Sequence, residues 1–155
     1  MAIYLIQHGV SESKEIDPNR GLSDTGRKET ERIAQVAKGY AIPVSQIVHS
    51  GKKRAEQTAA IFHAALSVSS PLQSISGINP LDDVKIFGEN IRPEDNTMIV
   101  GHMPFMQRLV SFLTTGSEDN RVYQFQNSGI VCLDMSVIDG ERDWFIKWTL
   151  NPTIS

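Results

Sequence analysis

Residues 2–9, Ala2-Ile3-Tyr4-Leu5-Ile6-Gln7-His8-Gly9, form an apolar run of branched and aromatic side chains that stops at a histidine and a glycine. Such residues favour a buried pleated strand, and Gly9 marks where the strand gives way to a turn. In open α/β sheets ligands bind beyond the carboxyl ends of strands, so His8 falls at a functional position. The arrangement recurs. Asn96-Thr97-Met98-Ile99-Val100 reads as another buried strand and runs into Gly101-His102-Met103-Pro104. Two histidines at two strand ends, each beside a glycine, point to one site assembled from distant segments.

The rest of the chain alternates around these two strands. Residues Val10 to Leu22 are polar, contain Pro18 and Gly21, and read as a long loop beyond His8. Ser23 suits a helix N-cap and Asp24 the positive end of the helix. Ile33, Val36, Ala37 and Tyr40 follow at helical spacing, with Arg27, Lys28, Glu29, Glu31 and Arg32 on the outer face and Gly39 and Pro43 at the end. Gln46–His49 predicts a short strand leading into Ser50-Gly51, then a helix with Ala55, Ala59, Phe62 and Leu66 on one face. Residues Ser67 to Ser76 form a Ser-rich connection with a short strand around Leu72 to Ile75, and Leu81 to Ile91 include a helix carrying Val84, Phe87 and Ile91. Phe105, Leu109, Phe112 and Leu113 make a further amphipathic helix, closed near Gly116. Val122 to Phe125, Ile130 to Met135 and Trp144 to Leu150 are strand-like, the last two joined across Asp139-Gly140, a hairpin turn pair. Strands alternating with helices and then a hairpin predict one domain over residues 1–155, a three-layer α/β/α sandwich on a mixed, mostly parallel sheet.

Bulk properties narrow the function. The 155 residues are 40% hydrophobic and 21% charged, which is ordinary for a chain that buries a core and argues against disorder. A net charge of −3 supplies no global field for nucleic acid or an anionic membrane, so neither is expected as a partner. The single cysteine, Cys132, lies in the apolar run Ile130-Val131-Cys132-Leu133, where a buried strand thiol is expected. One thiol makes no internal disulfide and no multi-cysteine metal cluster. No apolar stretch approaches a membrane span, and the N-terminal run is too short and lacks a basic leader for a signal peptide. A cytoplasmic protein is therefore the expectation.

A third segment, Ser50-Gly51-Lys52-Lys53-Arg54-Ala55-Glu56-Gln57-Thr58, also begins at a strand end and opens a helix. A helix N-terminus offers free N–H groups and a positive dipole end, and a guanidinium fork such as Arg54 matches phosphate oxygens. Taken together, these segments resemble the histidine phosphatase superfamily, also called phosphoglycerate mutase-like, and within it the small SixA-type phosphohistidine phosphatases. The family's Arg-His-Gly is present as Gln7-His8-Gly9, its Leu-Ser/Thr-x-x-Gly as Leu22-Ser23-Asp24-Thr25-Gly26, its Ser-x-x-x-Arg-Ala-x-x-Thr as Ser50 through Thr58, and its Gly/Ser-His-x-Pro as Gly101 to Pro104. Order and spacing agree along nearly the whole chain. The short length, with no large insertion, favours the SixA group over mutases and acid phosphatases.

The resemblance implies a histidine phosphatase fold and a metal-independent hydrolase with no cofactor. Its substrate would be a phosphohistidine-containing protein or a small phosphorylated compound. His8 would attack phosphorus and carry the phosphoryl group, while Arg54 and His102 neutralise charge on the transferring oxygens. Gln7, Gly9, Arg20 and Ser50 would join Arg54 and His102 around the phosphate. His49 and His63 match no catalytic position. Gln7 departs from the family's arginine: it keeps an N–H donor and loses a charged, two-pronged one. Three consequences follow as alternatives: compensation by Arg20 or another base, slower catalysis, or a phosphate- or phosphoprotein-binding module without turnover. Asp82 or Asp83, in Asn79-Pro80-Leu81-Asp82-Asp83, is the candidate general acid, against a capping role for the same carboxylates.

Overall fold

Alternation along a strand decides which layer each side chain joins, and the first strand shows this on both faces. The computed structural model describes residues 1–154, and in it β1 (Ile3–Gln7) lies inside a six-stranded sheet. The other strands are β2 (Gln46–His49), β3 (Gln73–Ser74), β4 (Thr97–Gly101), β5 (Ile130–Ile138) and β6 (Glu141–Leu150), in the order β3-β2-β4-β1-β5-β6. The pairs β3–β2, β2–β4 and β4–β1 are parallel, and β1–β5 and β5–β6 are antiparallel. Tyr4 and Ile6 face one layer with Ile47, Met98 and Val100. There α1 (Asp24–Gly39) and α2 (Lys53–Leu66) bring Ile33, Ala34, Ala37, Ala59 and Phe62 against them. Ile3 and Leu5 face the opposite layer with Val48, Ile99 and Val131, covered from α3 (Val84–Asn90) and α4 (Phe105–Thr115) by Val84, Phe105, Met106 and Leu109. A strand buried on both faces must be apolar at consecutive positions, which is why residues 2–6 show no polar alternation. Each large side chain so buried contributes about 1.5–3 kcal/mol.

Parallel pairing sends the carboxyl ends of β1, β2 and β4 to one edge of the sheet. Gln7 registers with Gly101, and His49 with Val100, so His8, Ser50 and His102 emerge side by side.

The expected sandwich and mixed sheet are present, with local differences. The inner face of α1 is Gly26, Thr30, Ile33, Ala34 and Ala37. Val36 and Tyr40 are both exposed, because the buried stripe runs one position off the spacing read from them. Val122 to Phe125 is not a strand. The apolar and aromatic character there reflects ring packing: Phe125 is buried, and Tyr123 meets it edge-to-face at 5.3 Å. The β5–β6 hairpin extends beyond the expected strands up to its turn at Asp139 and Gly140, whose φ values of 52° and 81° suit a two-residue hairpin loop. Within Leu81 to Ile91 the helix starts only at Val84, where Asp83 caps it by accepting the Lys85 N–H at 2.8 Å. Among the described residues no helix is long and apolar enough to cross a membrane.

Candidate active site

Beyond the aligned strand ends lies a cavity of about 500 Å³ lined by Gln7, His8, Arg20, Arg54 and His102, together with Val10, Ser11, Pro80, Met103 and Asn127. His8 is held at every polar atom. Its backbone N–H donates to Gly101 O at 3.0 Å, and its carbonyl accepts the Asn127 amide at 2.9 Å. The next peptide N–H, of Gly9, donates to Thr58 Oγ1 at 2.9 Å, and the Thr58 hydroxyl donates to Arg54 O at 2.8 Å. The imidazole Nδ1 lies 2.7 Å from the Gly9 carbonyl, which can only accept, so Nδ1 carries the ring proton. Nε2 therefore presents a lone pair, and the Arg54 Nε–H points to it at 3.3 Å. The rings of His8 and His102 are 5.0 Å apart between centroids.

Burial decides the protonation of both rings. It pushes His8 down to about 4; the Gly9 hydrogen bond opposes this, and the charges of Arg54 and Arg20 reinforce it. His102 is pushed down to about 3 by burial and then by His8, Arg54, Lys52 and Arg20. Arg54 is itself lowered by burial and by Arg20, as expected where cations are packed for an anion. Both imidazoles are thus neutral at pH 7.

A pH dependence follows with a definite sign. Both folded-state values lie below the ordinary histidine value of 6.5, so below pH 6.5 the unfolded chain takes up protons that the folded chain refuses. Stability is complete above pH 6.5 and declines as pH falls toward 4 and then 3. Thermal unfolding midpoints measured across this window should drop more steeply in the wild type than in His8→Ala or His102→Ala. The acid limb of kcat/KM should lie near pH 4; a limb at 6.5 would contradict the buried, cation-flanked His8.

Arg20 reaches the cavity from the loop that follows His8. Its backbone is left-handed, with φ 51°. Asp17 holds the turn by accepting the Asn19 and Gly21 N–H groups at 3.0 and 2.8 Å. Two α2 side chains dock the loop: Lys53 pairs with Asp17 at 2.9 Å, and Gln57 Oε1 accepts the Leu22 N–H at 2.7 Å. The same helix carries Arg54 in its first turn, so one element positions both arginines. Ser23 caps α1 through the Gly26 N–H, and a side chain at Gly26 would strike the Val10 carbonyl. The Leu22 to Gly26 stretch thus shapes the loop beyond His8.

The structure separates the remaining candidates. Ser50 does not line the cavity; its hydroxyl lies 2.6 Å from His102 Nε2. Gly9 is buried with its N–H and carbonyl both engaged, and an added Cβ would press on Thr30 Oγ1 at 2.7 Å. Asp82 Oδ2 accepts the Asn79 N–H at 2.8 Å and Asp83 caps α3. Both line a separate cavity of about 250 Å³ beside Lys85 and Arg108, away from the histidines. His49 is buried, with Nδ1 accepting the Gly51 N–H at 3.0 Å, and His63 Nε2 lies 2.8 Å from Ser70 O. Two supporting residues stand outside the site residues expected from the sequence. Thr58 closes the motif that begins at Ser50, which is a detectable signal; Asn127 lies in a polar stretch that offers none.

A model of the histidine phosphatase superfamily, branch 1, matches residues 3–79, a span that includes His8 and Arg54. The chain belongs to the histidine phosphatase superfamily. It is 22% identical to the phosphohistidine phosphatase SixA of Escherichia coli K12, over 98% of this chain and 94% of the relative. The solved structure of the protein histidine phosphatase SixA with tungstate superposes with a TM-score of 0.80 at 22% identity, covering 98% of this chain and 97% of that one. A SixA structure from Agrobacterium tumefaciens gives 0.74 at 22% identity, covering 97% of each chain.

Proposed function

We propose that this protein is a phosphohistidine phosphatase that works through a phospho-His8 intermediate. The observation that carries the reading is the His8 imidazole: neutral, with its proton fixed on Nδ1 and its Nε2 lone pair facing Arg54 in a cavity shared with Arg20 and His102. Nε2 attacks phosphorus and the bond from phosphorus to the substrate nitrogen breaks. Phosphorylated His8 is then cationic, and the Gly9 carbonyl steadies its Nδ1–H. Arg54, Arg20 and the His102 ring offset charge on the phosphoryl oxygens, which is the main protein contribution to this chemistry. Water then attacks phosphorus, the bond to Nε2 breaks, and inorganic phosphate leaves with His8 restored.

The leaving group sets the substrate class. No Asp or Glu lines the cavity among the described residues, and Asp82 and Asp83 are engaged elsewhere. An alkoxide leaving group requires a proton donor, whereas the nitrogen of a phosphoramidate readily takes a proton from solvent. Phosphohistidine in a protein fits this site better than an alkyl phosphate. A relative in fold was solved with tungstate, an oxyanion, which supports reading this chain as one that binds an oxyanion. A panel of phosphohistidine proteins and small phosphate esters tests the reading, combined with trapping of an acid-labile phosphoenzyme. Faster hydrolysis of alkyl esters than of phosphohistidine would overturn the substrate assignment.

Gln7 weighs on rate rather than on reaction type, and a binding module without turnover has less support because the nucleophile and two arginines share the cavity. Arg20 stands as the compensating cation. Gln7→Arg should therefore change turnover by less than about tenfold, while Arg20→Ala should cost about a hundredfold, the scale of one lost charged donor. A large gain in Gln7→Arg with a mild effect in Arg20→Ala would show an uncompensated site.

A further inference from the structure

His102 has one ring nitrogen partnered and one without a partner. Nε2 lies 2.6 Å from Ser50 Oγ, and Nδ1 is buried with no hydrogen-bond partner among the described residues. Buried polar atoms are rarely left so, and each exception calls for an explanation. The ring is neutral, because burial and the nearby positive charges hold it well below the ordinary histidine value. The open question is which nitrogen carries the single proton.

Ser50 answers it. Its Oγ accepts the Lys52 N–H at 3.4 Å, and the hydroxyl has one proton to give. His102 Nε2 is the acceptor within reach of that proton, and no other is found among the described residues. Donation to Nε2 requires a lone pair there, which places the ring proton on Nδ1. The opposite tautomer would leave the half-buried hydroxyl to give its proton to solvent and would put a lone pair, instead of an N–H, at the buried Nδ1 of a ring that lines the cavity.

The fold holds Ser50 in place for this. β2 and β4 pair so that His49 registers with Val100, which brings Ser50 beside His102. Gly51 turns the chain with φ 89°, and its N–H donates to His49 Nδ1 at 3.0 Å. Lys52 then caps α2. The hydroxyl is thus fixed by a strand end and a helix start rather than by solvent.

We propose that Ser50 is a positioning residue that locks His102 in its Nδ1–H tautomer, so that the buried N–H serves as a donor to a phosphoryl oxygen. The kinetic part of this inference rests on the phosphatase reading; the tautomer itself does not.

The experiment is nitrogen-15 NMR of the full-length protein labelled at histidine, paired with steady-state kinetics on a phosphohistidine protein. The wild type should show His102 with a protonated Nδ1 and a lone-pair Nε2. Ser50→Ala should populate the other tautomer and lower kcat by about ten- to a hundredfold with KM changed little, the pattern of a donor used chiefly in the transition state. Ser50→Thr, which keeps the hydroxyl, should restore the tautomer and most of the rate. A wild-type spectrum with the proton on Nε2 would overturn the proposal. So would an unchanged tautomer in Ser50→Ala, whatever the activity, because Ser50 would then act on the ligand directly or not at all. A protonated Nδ1 that depends on Ser50, in a protein without phosphatase activity, would support the tautomer lock and count against the phosphatase reading.

Discussion

His8→Ala should reduce turnover of a phosphohistidine substrate to the uncatalysed background, a loss of about 10⁴-fold or more. In the proposed reaction the imidazole takes the phosphoryl, and its removal should leave Arg54, Arg20 and His102 in the cavity to bind the anion without forming the intermediate. Binding should survive: phosphate affinity measured by calorimetry should change far less than kcat, and no acid-labile phosphoenzyme should be trapped. The fold should survive as well, because the His8 main chain, which the substitution keeps, donates to the Gly101 carbonyl and accepts the Asn127 side-chain amide. Activity within tenfold of the wild type would rule out phospho-His8 as an intermediate.

Arg54→Ala should cost about 10³-fold in kcat/KM. A guanidinium offered to transferring oxygens contributes about 10³–10⁵ in comparable phosphoryl transfers, and Arg20 in the same cavity softens the loss here. The variant also removes the Nε–H that faces His8 Nε2 at 3.3 Å, so the ring loses one of the contacts that orients it. Arg54→Lys should recover only part of the activity. An ammonium restores a point charge but neither the planar fork nor that contact. Arg54 sits in the first turn of α2, and its side chain is absent from the packed face formed by Ala55, Ala59 and Phe62. Unfolding midpoints should therefore shift little while the rate collapses. A rate loss of less than tenfold would remove Arg54 from the phosphoryl path.

The two readings of α1 show where sequence reasoning stops. Period and capping predict the helix and its start at Ser23, since those depend on residues a few positions apart. Which stripe is inward depends on what α1 packs against, and the layer of Ala55, Ala59 and Phe62 selects Thr30, Ile33, Ala34 and Ala37 over Val36 and Tyr40. Val122 to Phe125 carries the same lesson: strand composition makes a strand only where the chain runs beside a sheet edge, and here Tyr123 and Phe125 pack ring against ring instead.

By itself the sequence determined the alternation of strands and helices, the strand ends at His8, Ser50 and His102, and the family resemblance carried by the segments around them. These are legible because local residue type and spacing set strand, cap and turn. Tertiary structure decided the chemistry within the site. The register of β1, β2 and β4 brings Ser50 against His102 and Arg54 against His8. Docking of the Asp17 loop on Lys53 and Gln57 delivers Arg20. Local hydrogen bonds hold Asp82 and Asp83 outside. Proton placement and charge balance depend on distances of about 3 Å between residues some 50 positions apart. Only a folded chain sets such distances, because hydrogen bonds weaken steeply once their geometry departs from the ideal.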